Sequence, residues 1–250
     1  MKNYEGKKIW IVGASEGLGK GLAIALAQKG AILTLSARNE QALEKLRKEL
    51  PNSKRHKVSA LDVSSREQVE STYKKIGPVD AMLFAAGVYK PMTLETVDKE
   101  YAELIIDVNL KGAIYVTEAM MDSVLQSKCK ALWYIASVAG YYGLPQSYAY
   151  GTSKAALINY VETLRLELYK SDVEVKLINP GFVKTRLTEQ NEFDMPGLLS
   201  VDQAVEHIIN GLSKSCFEIH FPKQLSVPMK IIQLLPYPIR TWILSKFKPQ

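Results

Sequence analysis

The stretch Ile9-Trp10-Ile11-Val12-Gly13-Ala14-Ser15-Glu16-Gly17-Leu18-Gly19 decides the fold. Its first four residues form an apolar run typical of a buried strand, and a glycine-rich turn follows directly. Leu18, Leu22 and Leu26 then recur at helical spacing, and Ala31-Ile32-Leu33-Thr34-Leu35 predicts a second strand. Strand, turn, helix and strand make one βαβ unit, which indicates a parallel sheet.

The same alternation of apolar runs and amphipathic segments continues along the chain. Further strands are predicted at about residues 56–61, 80–85, 130–136, 173–177 and 217–221. Leu43, Leu46 and Leu50 mark a second helix that ends before Pro51, and a late helix covers about 201–212. The predicted fold class is therefore α/β, a Rossmann-type doubly wound parallel sheet with helices on both faces.

The predicted organisation is one domain over residues 1–225 and a C-terminal amphipathic helical tail over residues 226–250. A chain of 250 residues is long enough for one well-buried core, and no linker or internal repeat marks a second domain. The tail has two short apolar segments that are separated by Pro236-Tyr237-Pro238. These segments are too short to cross a bilayer.

Cysteine usage and the first residues predict a cytoplasmic protein without a metal site. Cys129 and Cys216 follow no metal or redox spacing, and Met1-Lys2-Asn3-Tyr4-Glu5 contains no apolar stretch of the signal-peptide kind. No run of eighteen apolar residues indicates a membrane-spanning helix.

The net charge of +6 is concentrated in the tail. After Glu218 the chain has no acidic residue and five basic ones, Lys223, Lys230, Arg240, Lys246 and Lys248. The first 218 residues are close to neutral, so we expect no nucleic-acid partner for the main domain.

The glycine-rich turn predicts a phosphate-binding site. Glycine permits a tight turn and a close backbone approach to a pyrophosphate, and the N–H groups at the helix start bind the anion. The alternative is a purely structural turn. The position of the glycine-rich turn at the first strand–helix junction favours a dinucleotide-binding site.

The end of the second strand predicts which dinucleotide binds. An NAD site usually has a carboxylate here, whereas this chain has Ser36-Ala37-Arg38-Asn39. Arg38 can hold a 2′-phosphate through charge-assisted bonds, which favours NADP(H) over NAD(H). The alternative is an ordinary solvated arginine.

Tyr150 and Lys154 are four residues apart and so share one face of a helix. A unit charge about 4 Å away is worth about 4 kcal/mol at an effective dielectric of about 20, or about three pKa units. Lys154 is therefore expected to lower the pKa of Tyr150 and make it a usable acid and base. The alternative is a chance pair on the helix surface. Ser137 argues against it, because this residue lies at the end of an apolar strand, where parallel sheets place ligand sites. Tyr148 is a rival base, but it lies six residues from Lys154.

The glycine-rich turn, Asn109, Ser137, Tyr150 and Lys154 together resemble, in order and spacing, the classical short-chain dehydrogenase/reductase family. The resemblance covers about residues 6 to 222. It implies an Asn-Ser-Tyr-Lys tetrad and hydride transfer between nicotinamide and a carbonyl carbon, with Tyr150 as acid and base and Ser137 positioning the oxygen. It also implies that Lys154 binds the nicotinamide ribose and that Asn109 holds a water of a proton relay.

The predicted site residues follow from these motifs. The cofactor-binding residues are Gly13, Ser15, Gly17, Leu18, Gly19, Ser36, Arg38, Asp62, Val63, Ala86, Gly87, Tyr150, Lys154, Pro180, Gly181, Val183 and Thr185. The substrate-binding residues are Ser137, Tyr142, Tyr148 and Tyr150. The partners expected are a small carbonyl or alcohol and further copies of the chain in a homo-oligomer.

Two positions depart from the family pattern. Many relatives have Asn-Asn-Ala-Gly where this chain has Phe84-Ala85-Ala86-Gly87, which puts hydrogen bonding and rigidity near the adenosine in doubt. NADP-preferring relatives often have a basic residue where this chain has Glu16, so Arg38 carries the cofactor prediction.

Two segments leave alternatives open. Residues 180–200 have weak periodicity and are long enough to form a mobile lid. Two apolar segments of the tail are flanked by cations, Met229-Lys230-Ile231-Ile232-Gln233-Leu234-Leu235 and the stripe of Ile239, Trp242, Ile243 and Phe247. They suit a helix in a membrane interface, a dimer contact or a flap over the substrate cleft. A membrane contact would favour a hydrophobic or lipid-like substrate. A peripheral membrane or scaffold protein with a non-catalytic dinucleotide site is the alternative function.

Overall fold

The computed structural model describes residues 4–126, 128–191 and 193–246. Phe247 of the predicted tail stripe and the basic Lys248 lie outside the described residues. The same holds for Met1, Lys2 and Asn3 of the N-terminal segment, for which no signal peptide is predicted.

Seven parallel strands form one sheet, which confirms the predicted fold class. They are β1 (Lys8–Val12), β2 (Ile32–Ala37), β3 (Lys57–Ala60), β4 (Ala81–Phe84), β5 (Ala131–Ile135), β6 (Glu174–Pro180) and β7 (Glu218–Phe221). Their order across the sheet is β3-β2-β1-β4-β5-β6-β7. The order reverses between β1 and β4, and such a reversal opens a crevice at the carboxyl ends of the two strands.

Ten α-helices connect and cover these strands in the described part of the chain. They are α1 (Gly17–Gln28), α2 (Glu40–Glu49), α3 (Arg66–Ile76), α4 (Lys99–Ile106), α5 (Gly112–Ala119), α6 (Met121–Leu125), α7 (Tyr150–Glu167), α8 (Val201–Leu212), α9 (Lys223–Gln233) and α10 (Tyr237–Ser245). A π-helical turn at Asp107–Lys111 joins α4 to α5.

Alternate side chains of β1 supply both halves of the core. Ile9 and Ile11 pack with α1, α2 and α8, whereas Trp10 and Val12 pack with α3, α5 and α7. All four are at most 1% exposed. A parallel strand buried on both faces needs apolar residues at every position, which is why the run in β1 is continuous.

The predicted element boundaries are accurate to a few residues. The second strand was expected at 31–35 and occupies Ile32–Ala37, and the sixth, expected to start at 173, occupies Glu174–Pro180. The second helix ends at Glu49 because Leu50, which precedes Pro51, is extended with a ψ of 146°.

The tail is helical, as predicted, and is bound to β7 by polar contacts. Glu218 pairs with Lys230, and His220 Nδ1 lies 2.8 Å from Ser226 Oγ. Helix α9 begins at Lys223, so the predicted division at residue 225 falls inside it and stays a prediction. None of the helices among the described residues is both long and apolar enough to span a bilayer.

Candidate active site

The glycine-rich turn brings the start of α1 against the ends of β1 and β4. Gly13 has a φ of 92°, in the left-handed region that favours glycine. A Cβ at Gly13 would lie 2.4 Å from the backbone nitrogen of Ala86, and one at Gly19 would lie 2.0 Å from the carbonyl oxygen of Gly13. These two positions therefore exclude any side chain.

The start of α1 is free to bind an anion. Glu16 precedes the helix without capping it through its side chain, and the first turn contains no acidic residue. The first N–H groups of a helix have no partner within it, and the helix dipole makes them attractive to negative charge. The turn therefore has the form of a phosphate cradle.

A cleft of about 570 Å³ runs from this turn along the carboxyl ends of the strands. It is lined by sixteen of the seventeen predicted cofactor-binding residues, namely Gly13, Ser15, Gly17, Leu18, Gly19, Arg38, Asp62, Val63, Ala86, Gly87, Tyr150, Lys154, Pro180, Gly181, Val183 and Thr185. Residues far apart in the sequence thus meet in one cleft whose shape and polar groups fit a dinucleotide.

Ser36 is the predicted cofactor residue that the structure does not place in the cleft. Its side chain is fully buried and accepts a hydrogen bond from Trp10 Nε1 at 3.0 Å. Its carbonyl oxygen accepts from the backbone N–H groups of Gly13 and Ala14. Ser36 thus supports the glycine-rich turn from behind, because its side chain points to the opposite face of β2 from that of Ala37.

Two arginines and one glutamate supply the charges at this end of the cleft. Arg38 is exposed and has no hydrogen-bond or ion-pair partner within the described ranges. Arg186 Nη2 lies 2.7 Å from Glu16 Oε1. Glu16, which departs from the family pattern, is therefore paired with Arg186 from the segment after β6. Arg38 remains available to bind a ligand.

Asn109 holds the loop after β4. Its Nδ2 donates to the carbonyl of Val88 and to Ser153 Oγ, both at 3.0 Å, and its Oδ1 accepts from the Val88 N–H at 2.8 Å. This clamp replaces the polar side chains that are absent from Ala85 and Ala86. Both amide hydrogens are used, so a water at Asn109 would have to bind an oxygen atom.

Ser137, Tyr150 and Lys154 meet below the middle of the cleft. Ser137 follows β5 and Tyr150 begins α7, and both side chains line the cleft. Lys154 Nζ donates to the carbonyl oxygen of Ile135 at 3.0 Å and lies 5.7 Å from the centre of the Tyr150 ring. Lys154 also lies close to Gly87, where a Cβ would be 3.7 Å from Nζ.

The expected lowering of the Tyr150 pKa by Lys154 is wrong for this form of the protein. Burial raises the pKa of Tyr150, and the hydrogen bond from Ser137 opposes this only in part. Burial lowers the pKa of Lys154 to about 8. Each side chain loses hydration, so each favours its neutral form, and the ammonium is directed to Ile135 and not to the phenol.

A second cavity of about 580 Å³ opens on the other side of Tyr150. Its walls are mostly apolar and include Tyr142, Leu144 and Pro145 of the loop after Ser137. The two cavities share Ser137 and Tyr150. Tyr148, a predicted substrate residue, is 49% exposed and does not line either cavity.

Several walls of the second cavity come from residues that the sequence analysis did not assign. They are Tyr89, Phe182, Phe193, and the tail residues Leu225, Pro228, Met229, Ile232 and Leu244. The spacing of Leu225, Pro228 and Ile232 on α9 was the available signal, because residues three and four apart share a helix face. Of the three alternatives for the tail, the flap over the cleft thus agrees with where α9 and α10 lie.

The segment expected to form a lid has its two ends joined. Val183 and Leu199 form a bridge, and the Tyr89 hydroxyl donates to Asn191 Oδ1 at 2.6 Å in the middle. Leu187 and Thr188 line both cavities. The segment therefore covers the junction of the cavities, and its mobility stays a prediction.

We expect Lys154→Met to stabilise the protein in a pH-dependent way. Because the pKa of Lys154 is about 8 when folded and 10.5 when unfolded, the unfolded state binds more protons between these values. Wild-type stability therefore rises with pH in that window relative to the variant. By linkage the variant gains up to about 3 kcal/mol at pH 7 and loses this advantage by about pH 10.5.

Urea denaturation of both proteins at pH 7, 9 and 10 measures this difference. Lys170→Met, at an exposed position on the surface, is the control. A stability difference between Lys154→Met and wild type that stays constant from pH 7 to 10 would contradict the lowered pKa.

Comparisons with known proteins agree with this geometry. A family model described as short chain dehydrogenase matches residues 7–195. An uncharacterized oxidoreductase of Myxococcus xanthus is 34% identical over 234 residues, which are 92% of each chain. An alcohol dehydrogenase of the archaeon Thermococcus sibiricus, solved with 5-hydroxy-NADP, has a TM-score of 0.77 at 30% identity and covers 87% of this chain and 96% of its own.

A short chain dehydrogenase of Burkholderia cenocepacia, solved in complex with NADP, covers 99% of this chain and 100% of its own. Its TM-score is 0.84 at 23% identity, so it shows the shared fold. The family model and the relatives together lead to one conclusion. This chain belongs to the short chain dehydrogenase family and is an oxidoreductase of that family.

Proposed function

We propose that this protein is an NADP(H)-dependent oxidoreductase that interconverts a carbonyl and an alcohol on a hydrophobic substrate. One observation carries the proposal: Ser137 and Tyr150 line both the cleft that contains the predicted cofactor residues and the neighbouring apolar cavity. A substrate oxygen in the apolar cavity would reach both hydroxyls while its carbon faces the cleft. No observation favours the non-catalytic alternative.

The cleft residues fit NADP(H) by their chemistry. The N–H groups at the start of α1 would hold the pyrophosphate, and Arg38 would hold the 2′-phosphate. Lys154 is buried next to Gly87, and it would hold the ribose hydroxyls. The alcohol dehydrogenase relative with 5-hydroxy-NADP supports this assignment. When bound, the cofactor supplies or accepts a hydride.

The protonation states of the site favour carbonyl reduction. A raised pKa keeps the Tyr150 phenol protonated at neutral pH, which is the form that donates a proton to a carbonyl oxygen. Ser137 would hold that oxygen through its hydroxyl. A Lys154 pKa of about 8 allows this side chain to return a proton to Tyr150 near neutral pH.

The apolar cavity supports a hydrophobic substrate with a single polar end. Tyr89 packs edge-on against the Tyr150 ring at 4.8 Å, so the reacting end of the cavity is narrow. Leu225, Met229 and Ile232 form the far wall. Assembly into a homo-oligomer stays a prediction.

We expect Tyr150→Phe to lower kcat by 10² to 10⁴-fold, the typical contribution of a general acid, and to leave cofactor binding intact. Nicotinamide fluorescence measures binding, and absorbance at the reduced-cofactor band measures turnover. Tyr148→Phe is the matched control, because Tyr148 lies two residues away outside both cavities. Equal turnover in wild type and Tyr150→Phe would exclude Tyr150 as the acid.

We expect Arg38→Ala to weaken NADPH binding by about 10-fold to 150-fold, because hydrogen bonds to a charged group contribute about 1.5–3 kcal/mol. NADH has no 2′-phosphate, so its Kd should be unchanged. Fluorescence titration with both cofactors gives the comparison. Arg66→Ala serves as the control, since Arg66 pairs with Glu118 outside the cleft. Parallel loss of NADPH and NADH affinity would refute the assigned role.

We expect kcat/KM for straight-chain aldehydes to rise by up to about fourfold per methylene until the cavity is full, since each buried CH₂ contributes about 0.8 kcal/mol. Met229→Trp should shorten the optimal chain, and Met229→Ala should lengthen it. Ile231→Trp, on the opposite face of α9, is the control and should leave the optimum unchanged. An optimum that is the same in all four proteins would show that α9 does not bound the substrate.

A further inference from the structure

The two C-terminal helices carry apolar side chains on two opposite faces. The inner face, which lines the substrate cavity, consists of Leu225, Pro228, Met229, Ile232 and Leu244. The exposed apolar side chains are Val227, Ile231 and Leu234 along α9 and Tyr237, Ile239 and Trp242 on α10, and this exposed set is called the outer face. On α9 the outer residues recur at i, i+4 and i+7, so they form one continuous stripe.

The side chains of the outer face are apolar and yet largely exposed to solvent. Its six side chains are between 42% and 86% exposed. No residue of α10 is buried. Single exposed apolar residues are ordinary on a protein surface, but a contiguous group of them indicates an interaction site.

The charges beside the outer face have one sign. Lys223, Lys230, Arg240 and Lys246 follow Glu218, and no acidic residue occurs after it. Lys230 is matched by Glu218, which leaves three cations without an acidic partner in the part of the tail that the structure describes. Two of the three stand beside outer-face aromatic rings, Arg240 at 4.3 Å from the Tyr237 ring centre and Lys246 at 3.7 Å from that of Trp242.

We propose that the outer face of α9 and α10 docks on the surface of an anionic lipid bilayer. Apolar residues flanked by cations and by aromatic side chains are what a helix lying in the membrane interface requires. Helices of 11 and 9 residues lie in the interface and do not cross it, because a crossing needs about 20 residues.

A second copy of the chain fits this face less well. A two-fold symmetric contact places each residue against the same patch of the partner. The unmatched cations Lys223, Arg240 and Lys246 would then meet one another with no acidic residue of the tail between them. Like charges held together oppose association, whereas anionic headgroups complement the same surface.

The docking site has a consequence for substrate entry. α9 lies between the docked surface and the apolar cavity, because its outer stripe and its cavity-lining residues belong to the same three turns. A lipophilic carbonyl could pass from the bilayer to Tyr150 without crossing water. This route rests on the proposed reaction, whereas the docking itself does not.

Vesicle flotation with the full chain tests the docking. We compare vesicles of phosphatidylcholine with vesicles that also contain one quarter phosphatidylglycerol. Ile231→Ser, Leu234→Ser and Trp242→Ser, combined, should weaken binding to the anionic vesicles about 100-fold. The control combines Leu94→Ser, Leu166→Ser and Tyr169→Ser, which are 74% to 81% exposed on other helices and loops and should bind like wild type.

Charge is tested separately. Arg240→Gln with Lys246→Gln should weaken binding to the anionic vesicles about 30-fold and leave any binding to pure phosphatidylcholine unchanged. Lys29→Gln with Lys48→Gln, at exposed positions of the main domain, is the control and should have no effect. Equal binding to both vesicle types by wild type would overturn the proposal.

Two further measurements separate the competing outcomes. If sedimentation shows a wild-type dimer that the triple outer-face variant dissociates, a second copy covers this face and the proposal is wrong. Turnover of a water-soluble aldehyde should be the same in wild type and in the triple variant. If neither protein turns over any aldehyde while wild type still floats with anionic vesicles, the proposed reaction fails and the docking stands.

Discussion

The structure depends on one close contact between two pieces of backbone. At Gly13 the chain leaves β1 and passes so near Ala86, at the end of β4, that a single methyl group would not fit. This contact lies where the strand order reverses, so it sets the floor of the cleft. Ser36 holds the turn from one side and the Asn109 amide holds the β4 loop from the other. The phosphate cradle and the Lys154 pocket are therefore parts of one rigid unit.

Burial determines the protonation of Tyr150 and Lys154, the two groups to which the proposed reaction assigns the proton transfer. Tyr150 is partly buried and Lys154 is buried, and this loss of hydration raises the pKa of the phenol and lowers that of the amine to about 8. The phenol is therefore neutral at physiological pH, whereas a pKa of about 8 leaves Lys154 largely protonated, and the two side chains do not form an ion pair. The loss of hydration outweighs the attraction expected from their spacing, because the ammonium points to a backbone carbonyl.

The tail completes the apolar cavity beside Tyr150 and also presents a surface to the outside. Glu218 and His220 hold α9 against β7 through Lys230 and Ser226. Helix α9 can therefore line the cavity with one face and expose an apolar stripe, with basic residues beside it, on the other face. In a short helix this requires apolar residues around most of the circumference, and that explains why the tail is rich in them without being long enough to span a bilayer.

Local patterns in the sequence determined the βαβ order, the glycine-rich turn, the Tyr150–Lys154 helix and the glycine positions, because strand and helix periodicity and backbone sterics act over a few residues. The sequence also identified Arg38, and nearly every cofactor residue predicted from it lines the cleft. Only the tertiary structure decided that Ser36 faces the core, that Tyr148 lies outside both cavities and that the Tyr150 pKa is raised. The direction of a side chain and its loss of hydration depend on neighbours from distant segments of the chain. A single stretch of sequence does not contain those neighbours.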